Sequence, residues 1–346
     1  MSRVPVFDGE QARKRAGKCS HGFPAPPARV RARANDGQNR GGQEPQVALV
    51  DDVVTSCETT VNGIRLHWVE AGSGPLVVLL HGFPEFWYSW RHQIPALAAA
   101  GYRVVAPDLR GYGQSGKPAG YAAYTGPALT GDVAGLVAAC GAQRATVVGH
   151  DWGGVVAWAT ALRHPEVLDK LVILNAPHPG AFKRQGLSPA QLLRSSYIFF
   201  FQSPIVPEMV LSANNFAALK WALRGGSQRV GAFTDDDLER YAEAYRQPGA
   251  LTSTLAYYRA FGRRMIKAAR QTGAAPGNGQ RRTVTAPTLI IWGRNDPALG
   301  QSTADPGDRV PNRKLVFIDE AAHFVQADAP ERVNELLINF LNTKPV

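Results

Sequence analysis

Cysteine is scarce in this chain, which has three cysteines among 346 residues. Because their number is odd and no C-x-x-C pair occurs, we expect neither a disulfide framework nor a cysteine-ligated metal. Long apolar runs are also missing, and a run such as 76–80 is far shorter than the roughly 18 residues that cross a bilayer. These absences exclude a membrane span, a disulfide scaffold and a zinc ribbon.

Acidic residues are fewer than basic ones, 28 against 38, which gives a net charge of +10. Residues 1–50 hold nine of the basic and four of the acidic residues, and so carry half of that charge. This stretch is rich in Pro, Gly, Arg and Gln and has no sustained apolar period, which predicts a disordered basic extension. A weak polyanion-binding role, a targeting tail and a mis-assigned start site are the alternatives. No nucleic-acid-binding signature follows it.

The rest of the chain has an α/β pattern, within a composition that is 45% apolar and 19% charged. Strands that alternate with helices of this length predict βαβ crossovers and a mostly parallel sheet. The chemistry of such sheets lies at the carboxyl ends of the strands. Strand patterns occur at 64–70, 76–80, 103–107, 145–149, 170–174, 288–292 and 314–318, and helical patterns around 88–100, 127–140, 153–164 and 330–342.

Residues 178–279 interrupt this alternation, because they contain helical runs and no convincing strand. Thr234 followed by three aspartates predicts a helix start, with a hydroxyl cap and acids at the positive end of the dipole. That helix should end near 247–249, a second should follow over 251–263, and 272–280 is a loop by composition. We expect an all-helical lid above the carboxyl edge of the sheet. Extra surface helices without a role are the alternative.

The run GHDWGG at 149–154 follows the strand 145–149 and opens a helix. This is the strand–turn–helix setting of the nucleophile elbow G-x-S-x-G, with Asp151 where serine would stand. The turn is tight, so side chains at Gly149 or Gly153 would collide with the neighbouring backbone. The alternative is that Asp151 only caps the helix.

A second motif, HGFP at 81–84, ends the strand 76–80. In hydrolases of this architecture a backbone amide from this loop pairs with the amide after the nucleophile to form an oxyanion hole. Those donors would be the N–H groups of Phe83 and Trp152. We expect His81 and His150, which flank the two motifs, to fix the loops by hydrogen bonds.

An acid and a base follow in chain order. Asp296 comes directly after the strand 288–292, and His323 comes after the strand 314–318. Nucleophile, acid and histidine in this order, each behind a strand, match the triad order of α/β hydrolases. We therefore predict an Asp151–Asp296–His323 triad.

An aspartate nucleophile narrows the chemistry. Attack of a carboxylate on a carbonyl would give an unfavourable anhydride, whereas attack on an sp³ carbon gives a covalent ester that water can hydrolyse. Epoxides and alkyl halides are therefore the expected substrates. An epoxide oxygen leaves as a basic alkoxide and needs a proton donor such as tyrosine, with a pKa of about 10. The candidates in the lid are Tyr197, Tyr241, Tyr245, Tyr257 and Tyr258.

Three motifs together resemble the soluble epoxide hydrolase family of the α/β-hydrolase fold: HGFPEFWYSWR at 81–91, DLRGYG at 108–113 and GHDWGG at 149–154. The likeness covers about residues 53–343. It implies an eight-stranded, mostly parallel sheet with helices on both faces and an all-helical cap between the sixth and seventh strands. In that family two cap tyrosines protonate the epoxide oxygen, and these positions match Tyr197 in YIFFFQ and Tyr258 before Arg259. Ala322 stands where the family usually has glycine.

The sequence as a whole predicts a detoxifying, cytoplasmic epoxide hydrolase, an ether-bond hydrolase that uses neither cofactor nor metal. We expect a disordered extension at 1–50, a hydrolase core at 51–177 and 280–346, and a cap at 178–279. Trp152, Pro84 and His150 are expected to line the pocket of a small hydrophobic epoxide. No nucleic acid or stable membrane association is expected, and homodimerisation is left open. A haloalkane or haloacid dehalogenase and a hydrolase-fold binding protein with little turnover are the alternatives.

Overall fold

The computed structural model describes residues 18–20, 50–185, 188–270 and 283–343. Most of the N-terminal extension lies outside these ranges, so its disorder stays a prediction. The loop expected at 272–280 also lies outside the described residues.

The strands form one sheet whose order is β1-β2-β3-β5-β4-β6-β7-β8-β9. The pairings from β1 through β2 and β3 to β5 are antiparallel, and all the others are parallel. The strands are β1 Lys18–Ser20, β2 Thr55–Val61, β3 Ile64–Ala71, β4 Leu76–Leu80, β5 Arg103–Pro107, β6 Ala145–His150, β7 Leu168–Leu174, β8 Thr288–Gly293 and β9 Arg313–Ile318.

The expected α/β-hydrolase fold with an eight-stranded, mostly parallel sheet is confirmed by β2 to β9, and one further strand is added at the edge of this sheet. The ninth strand is β1, three residues of the basic extension that pair with β2. The seven strands predicted from apolar runs are all present. Strand β2 lacks such a run because it lies in the antiparallel part of the sheet, where exposed and buried residues intermix.

One cysteine prediction also needs correction. Cys57 is disulfide-bonded and lies opposite Cys19 in the β1–β2 ladder. An odd number of cysteines does not exclude a single bridge, because residues far apart in sequence become neighbours only when strands pair. Cys140 is free and buried.

Helices cover both faces of the sheet, and two apolar cores result. Val78 and Leu80 of β4 contribute to one core, while Val77 and Leu79 of the same strand contribute to the other. A strand covered on both faces must be apolar throughout, which explains the run LVVLL. The core helices are α1 Val50–Val53, α2 Gln93–Ala99, α3 Gly126–Ala139, α4 Trp152–Arg163, and, at the end of the chain, Val325–Asp328 and Pro330–Leu341.

Between β7 and β8 the described residues contain helices and no strand, as the sequence predicts. These are α5 Pro179–Gln185, α6 Pro189–Arg194, α7 Ser196–Phe200, α8 Val206–Gly225, α9 Asp235–Arg246 and α10 Ala250–Arg270. The two core helices at the end of the chain are then α11 Val325–Asp328 and α12 Pro330–Leu341. The position between the sixth and seventh of the eight core strands is confirmed. The domain boundaries themselves stay a prediction. None of the helices in the described ranges combines the length and the hydropathy that a bilayer span requires.

The predicted start of α9 is confirmed in detail. The Thr234 hydroxyl accepts the Asp237 N–H at 3.1 Å, and the Asp237 carboxylate accepts the Thr234 N–H at 2.9 Å. This reciprocal capping box satisfies two amides that a helix start leaves without partners. The Tyr88 hydroxyl donates to Asp237 at 2.8 Å, so the cap is bonded to the core motif at 81–91. Helix α10 runs seven residues further than the predicted 251–263.

Candidate active site

Asp151 lies on the sharp turn between β6 and α4. Its backbone has φ 48° and ψ −119°, which is a strained conformation for a residue with a side chain. A Cβ at Gly149 would lie 2.4 Å from the Gly153 oxygen, and one at Gly153 would lie 2.1 Å from the Leu80 oxygen. Only glycine therefore fits on either side of the turn, and the strain holds the Asp151 carboxylate above the carboxyl end of β6.

The two oxygens of the Asp151 carboxylate have different surroundings. Oδ1 accepts the Phe83 N–H at 2.8 Å, and the Trp152 N–H also bonds this carboxylate. Burial raises the pKa of Asp151 above its ordinary value, although His323 and these two amides act in the opposite direction. The Phe83 amide thus already holds Oδ1, which leaves Oδ2 for a different partner.

His323 lies on the loop after β9, beside the second oxygen. Its Nε2 is 3.8 Å from Asp151 Oδ2, which is longer than a hydrogen bond. Its Nδ1 is 2.9 Å from Asp296 Oδ2. Burial by itself lowers the pKa of His323, but the carboxylates of Asp296 and Asp151 outweigh burial and raise it to about 9. The three residues are thus brought together as the sequence predicts.

Asp296 is buried and fully bonded. Oδ1 accepts the N–H groups of Ala298 and Leu299 at 2.8 and 2.9 Å, while Oδ2 accepts from Asn175 at 2.7 Å as well as from His323. Burial alone would raise the pKa of Asp296, but His323 and these donors bring it below the ordinary value. An ionised Asp296 with both oxygens engaged fixes the imidazole with its Nδ1 proton toward the acid.

Asn175 is a site residue that the sequence prediction missed. It follows β7 directly, with φ 40°, a left-handed conformation in which asparagine is enriched. Its amide donates to Asp296, and its oxygen accepts the Gly293 N–H at 2.9 Å. A polar residue at the carboxyl end of a buried strand was the available signal, and it is the same signal that identified Asp296.

The two cap tyrosines lie over the triad and contact each other. The rings of Tyr197 and Tyr258 are 6.0 Å apart in an edge-to-face contact. The Trp152 ring packs edge-to-face on the Tyr258 ring, with 5.0 Å between centroids, and an indole has only a hydrogen-bond donor to offer. Burial, with the Asp151 charge as a further cause, raises the pKa of both phenols, so both remain protonated at neutral pH.

The other three candidate tyrosines are also buried, but of their hydroxyls only that of Tyr257 has a hydrogen-bond partner within the described part of the chain. The Tyr257 hydroxyl donates to the Arg110 oxygen at 2.8 Å, and Tyr241 packs on Phe86 and Phe233. Tyr245 is buried against the Phe83 ring, with 6.1 Å between centroids.

The structure distinguishes among the residues predicted to line a pocket. Trp152 is half-buried, with its ring 5.0 Å from that of Tyr258. Pro84 is buried after a cis Phe83–Pro84 peptide, and the Phe83 ring lies 5.5 Å from Tyr258. His150 does not line a pocket: it has no exposed surface, and its ring nitrogens bond Glu85 at 2.7 Å and the His323 oxygen at 2.9 Å. Its engaged nitrogens leave nothing to offer a substrate, so that prediction is corrected.

His81 and His150 fix the loops, as expected. His81 Nε2 accepts the Leu109 N–H at 3.0 Å, so Nδ1 carries the proton that it donates to the Gly82 oxygen at 2.9 Å. His81 therefore joins the loop at 81–84 to the loop at 108–113. Through Glu85, which also accepts the Gly82 N–H at 3.1 Å, His150 connects the oxyanion loop to the loop of His323.

Comparison with known proteins agrees with this geometry. The sequence model of the α/β hydrolase fold matches residues 75–330, so the chain is an α/β hydrolase. Epoxide hydrolase 4 of Mus musculus is 39% identical over 331 residues, which cover 92% of this chain and 86% of the relative. The AB hydrolase superfamily protein YfhM of Bacillus subtilis (strain 168) is 45% identical over 287 residues, 82% of this chain and 96% of the relative.

Solved structures give the same result. The crystal structure of Bacillus megaterium epoxide hydrolase in complex with an inhibitor has a TM-score of 0.75 and 34% identity, and covers 83% of this chain and 100% of that one. The chain belongs to the epoxide hydrolase family of the α/β-hydrolase fold, and the resemblance inferred from the motifs is confirmed.

Proposed function

We propose that this protein is an epoxide hydrolase that adds water to an epoxide through a covalent ester on Asp151. The observation that carries the proposal is the arrangement around that carboxylate. The Phe83 amide holds Oδ1, His323 lies beside Oδ2, and the Asp151 charge acts on both Tyr197 and Tyr258, whose rings are 6.0 Å apart. Family membership supports the same activity.

In the first step Asp151 Oδ2 attacks a ring carbon of the epoxide. A carbon–oxygen ester bond forms as the ring carbon–oxygen bond breaks, and the departing oxygen takes a proton from Tyr197 or Tyr258. Their raised pKa values keep both phenols protonated for this role. The neighbouring Trp152 side chain lowers the pKa of Tyr258 against the effect of burial, which eases the loss of its proton.

In the second step His323 takes a proton from water, and the resulting hydroxide attacks the carbonyl carbon of the Asp151 ester. The oxygen held by the Phe83 amide is then the one that becomes the oxyanion, so this donor is in place beforehand. The tetrahedral intermediate releases the diol oxygen, which takes the proton from His323. The other water proton, left on the Asp151 carboxyl, returns to the tyrosinate formed in the first step, so that Asp151 is a carboxylate and the tyrosine is neutral again. Formation of the ester removes the Asp151 charge, one cause of the raised His323 pKa, so the pKa of His323 falls and more of it is the free base in the second step.

The indole of Trp152 favours an epoxide over a halide. A dehalogenase needs N–H donors that face the departing halide, whereas the Trp152 ring packs edge-to-face on the Tyr258 ring, with 5.0 Å between centroids. The donors above Asp151 are then hydroxyls, which supply a proton as well as a hydrogen bond. Only the epoxide oxygen needs that proton.

A side-by-side turnover screen tests the proposal. Aryl and alkyl epoxides should give vicinal diols, while chloro- and bromoalkanes of the same size should release little halide. A single turnover in ¹⁸O-water should label the Asp151 peptide instead of the diol, because water attacks the ester carbonyl. Label in the diol alone would mean that water opens the ring directly, and halide release without diol formation would favour the dehalogenase.

We also infer a small hydrophobic epoxide as the ligand, because aromatic rings surround Asp151, among them Phe83, Trp152 and Tyr258.

We propose a cytoplasmic, detoxifying role without cofactor. A disulfide at Cys57 is uncommon in a reducing compartment. Trapping the thiols of freshly lysed cells therefore tests the location: a reduced Cys57 agrees with the cytoplasm, and an oxidised one does not.

A further inference from the structure

Asp328 is a buried carboxylate that neither the family resemblance nor the triad uses. It ends the short helix α11, five residues after His323, and only 3% of its surface is exposed. A buried carboxylate is costly unless several donors compensate for its lost hydration. The position of those donors therefore indicates what this residue does.

The donors to Asp328 come from both the core and the cap. Oδ2 accepts the Ala322 N–H at 2.8 Å, directly before His323. Oδ1 accepts the N–H groups of Gln228 and Arg229 at 3.0 and 3.1 Å, and the Gln228 N–H is also 3.0 Å from Oδ2. One carboxylate thus bonds the segment after α8 to the loop that carries the base.

The two segments also touch without Asp328. The His323 N–H donates to the Gly226 oxygen at 2.9 Å. A Cβ at Gly226 would lie 2.6 Å from the Phe324 ring, so the approach requires glycine. The Asn295 side chain, next to Asp296, donates to the Gln228 side chain at 2.6 Å. The cap segment 226–229 is therefore bonded to the loops of both the base and the acid.

We propose that Asp328 is a positioning residue that holds the His323 loop against the cap segment 226–229 and thereby controls hydrolysis of the ester. This inference rests on the proposed function. His323 acts only in the second step, whereas attack by Asp151 depends on the elbow and the tyrosines. We call the hydrogen bonds of Asp328 to Ala322, Gln228 and Arg229 the clamp. Loosening the clamp should therefore slow ester hydrolysis much more than ester formation.

Asp328→Asn tests the clamp with little change in shape. If its oxygen stays on Gln228 and Arg229, its NH₂ faces the Ala322 N–H; if it flips, the NH₂ faces the cap amides. One side of the clamp opens in either case. Small misplacements of a reacting group cost up to about 100-fold, and we expect the hydrolysis rate constant to fall about tenfold with ester formation within about twofold.

Asp237→Asn is the matched control. Asp237 is also buried and also accepts a backbone amide of the cap, that of Thr234, but its hydrogen bonds go to α9 and the 81–91 motif. The Asp237→Asn variant should have a lower melting temperature, but its rate constants for ester formation and ester hydrolysis should keep the wild-type ratio. Single-turnover rapid quench with intact-mass detection of the ester measures both constants. Equal slowing of both steps in Asp328→Asn, or no slowing, would overturn the proposal.

Amide hydrogen exchange of the wild-type protein tests the clamp without any epoxide or variant. Ala322, His323, Gln228 and Arg229 should be protected together, as one unit. Fast exchange at 322–323 beside protected 228–229 would overturn the clamp even if epoxides are hydrolysed. Conversely, common protection in a protein that turns over no epoxide would leave the clamp in place and refute the proposed function.

Discussion

Replacing Asp296 by asparagine should stop the reaction at the covalent ester. Oδ1 accepts two backbone amides, Ala298 and Leu299, so the asparagine must keep its oxygen there. Its NH₂ then occupies the Oδ2 position and faces the His323 Nδ1 and the Asn175 NH₂. Since an NH₂ only donates, the imidazole must turn Nδ1 into an acceptor and carry its proton on Nε2. That tautomer has no lone pair with which to take a proton from water.

The size of the effect follows from this tautomer change. The carboxylate that orients a triad histidine contributes on the order of 10⁴ in rate, or about 5 kcal/mol of barrier at about 1.4 kcal/mol per tenfold. Loss of the Asp296 charge, a main cause of the raised His323 pKa, acts in the same direction because it makes the base weaker. The facing NH₂ groups of residues 296 and 175 should also lower the free energy of unfolding by about 1–3 kcal/mol.

Rapid quench with intact-mass detection measures the two steps separately. In Asp296→Asn the ester should form at nearly the wild-type rate and then persist, with its mass on the peptide that contains residue 151. Asp151→Asn is the control, since it removes the nucleophile and should give no adduct. Diol formation at the wild-type rate by Asp296→Asn would refute the role assigned to the acid.

Three further predictions follow from the same geometry. His323→Gln should accumulate the adduct on the Asp151 peptide when given an aryl epoxide, and the absence of a mass shift would contradict the nucleophile assignment. Tyr197→Phe combined with Tyr258→Phe should reduce ring opening by more than about 10²-fold, the usual contribution of a general acid; diol formation at the wild-type rate would require another proton donor. The hydrolysis rate constant should rise with pH and level off below pH 9, because the base must be unprotonated and the ester lowers a His323 pKa that is about 9 in the free enzyme. A single-turnover pH profile that falls as the pH rises would contradict this.

Ala322 illustrates how far a departure from a family motif can be judged from the sequence. The family usually has glycine before the catalytic histidine, which raises the question whether alanine fits. Among the described residues, Ala322 is not one of those with positive φ. Its backbone therefore needs no glycine, and its N–H is bonded by Asp328.

The sequence alone determined the fold class and the cap helix that starts at Thr234, and it predicted the triad Asp151, Asp296 and His323, whereas Tyr197 and Tyr258 were predicted only through the family resemblance. These follow from local signals, because apolar periodicity, a capping pattern and a polar residue behind a strand are all contained within a few neighbouring residues. The family motifs are local signals of the same kind, because each consists of certain residue types at fixed spacings in the sequence.

The tertiary structure alone decided which residues meet across the sheet edge. Asn175 reaches Asp296, His150 turns toward Glu85 and away from the pocket, and Asp328 joins the cap to the His323 loop. The partners in each of these contacts come from separate strands or from the cap, and no short-range pattern records which side chains will converge. The distances between these side chains are set only when the parallel strands have aligned their carboxyl ends. The pKa of His323 depends on those distances, and so does its action in the second step of the reaction.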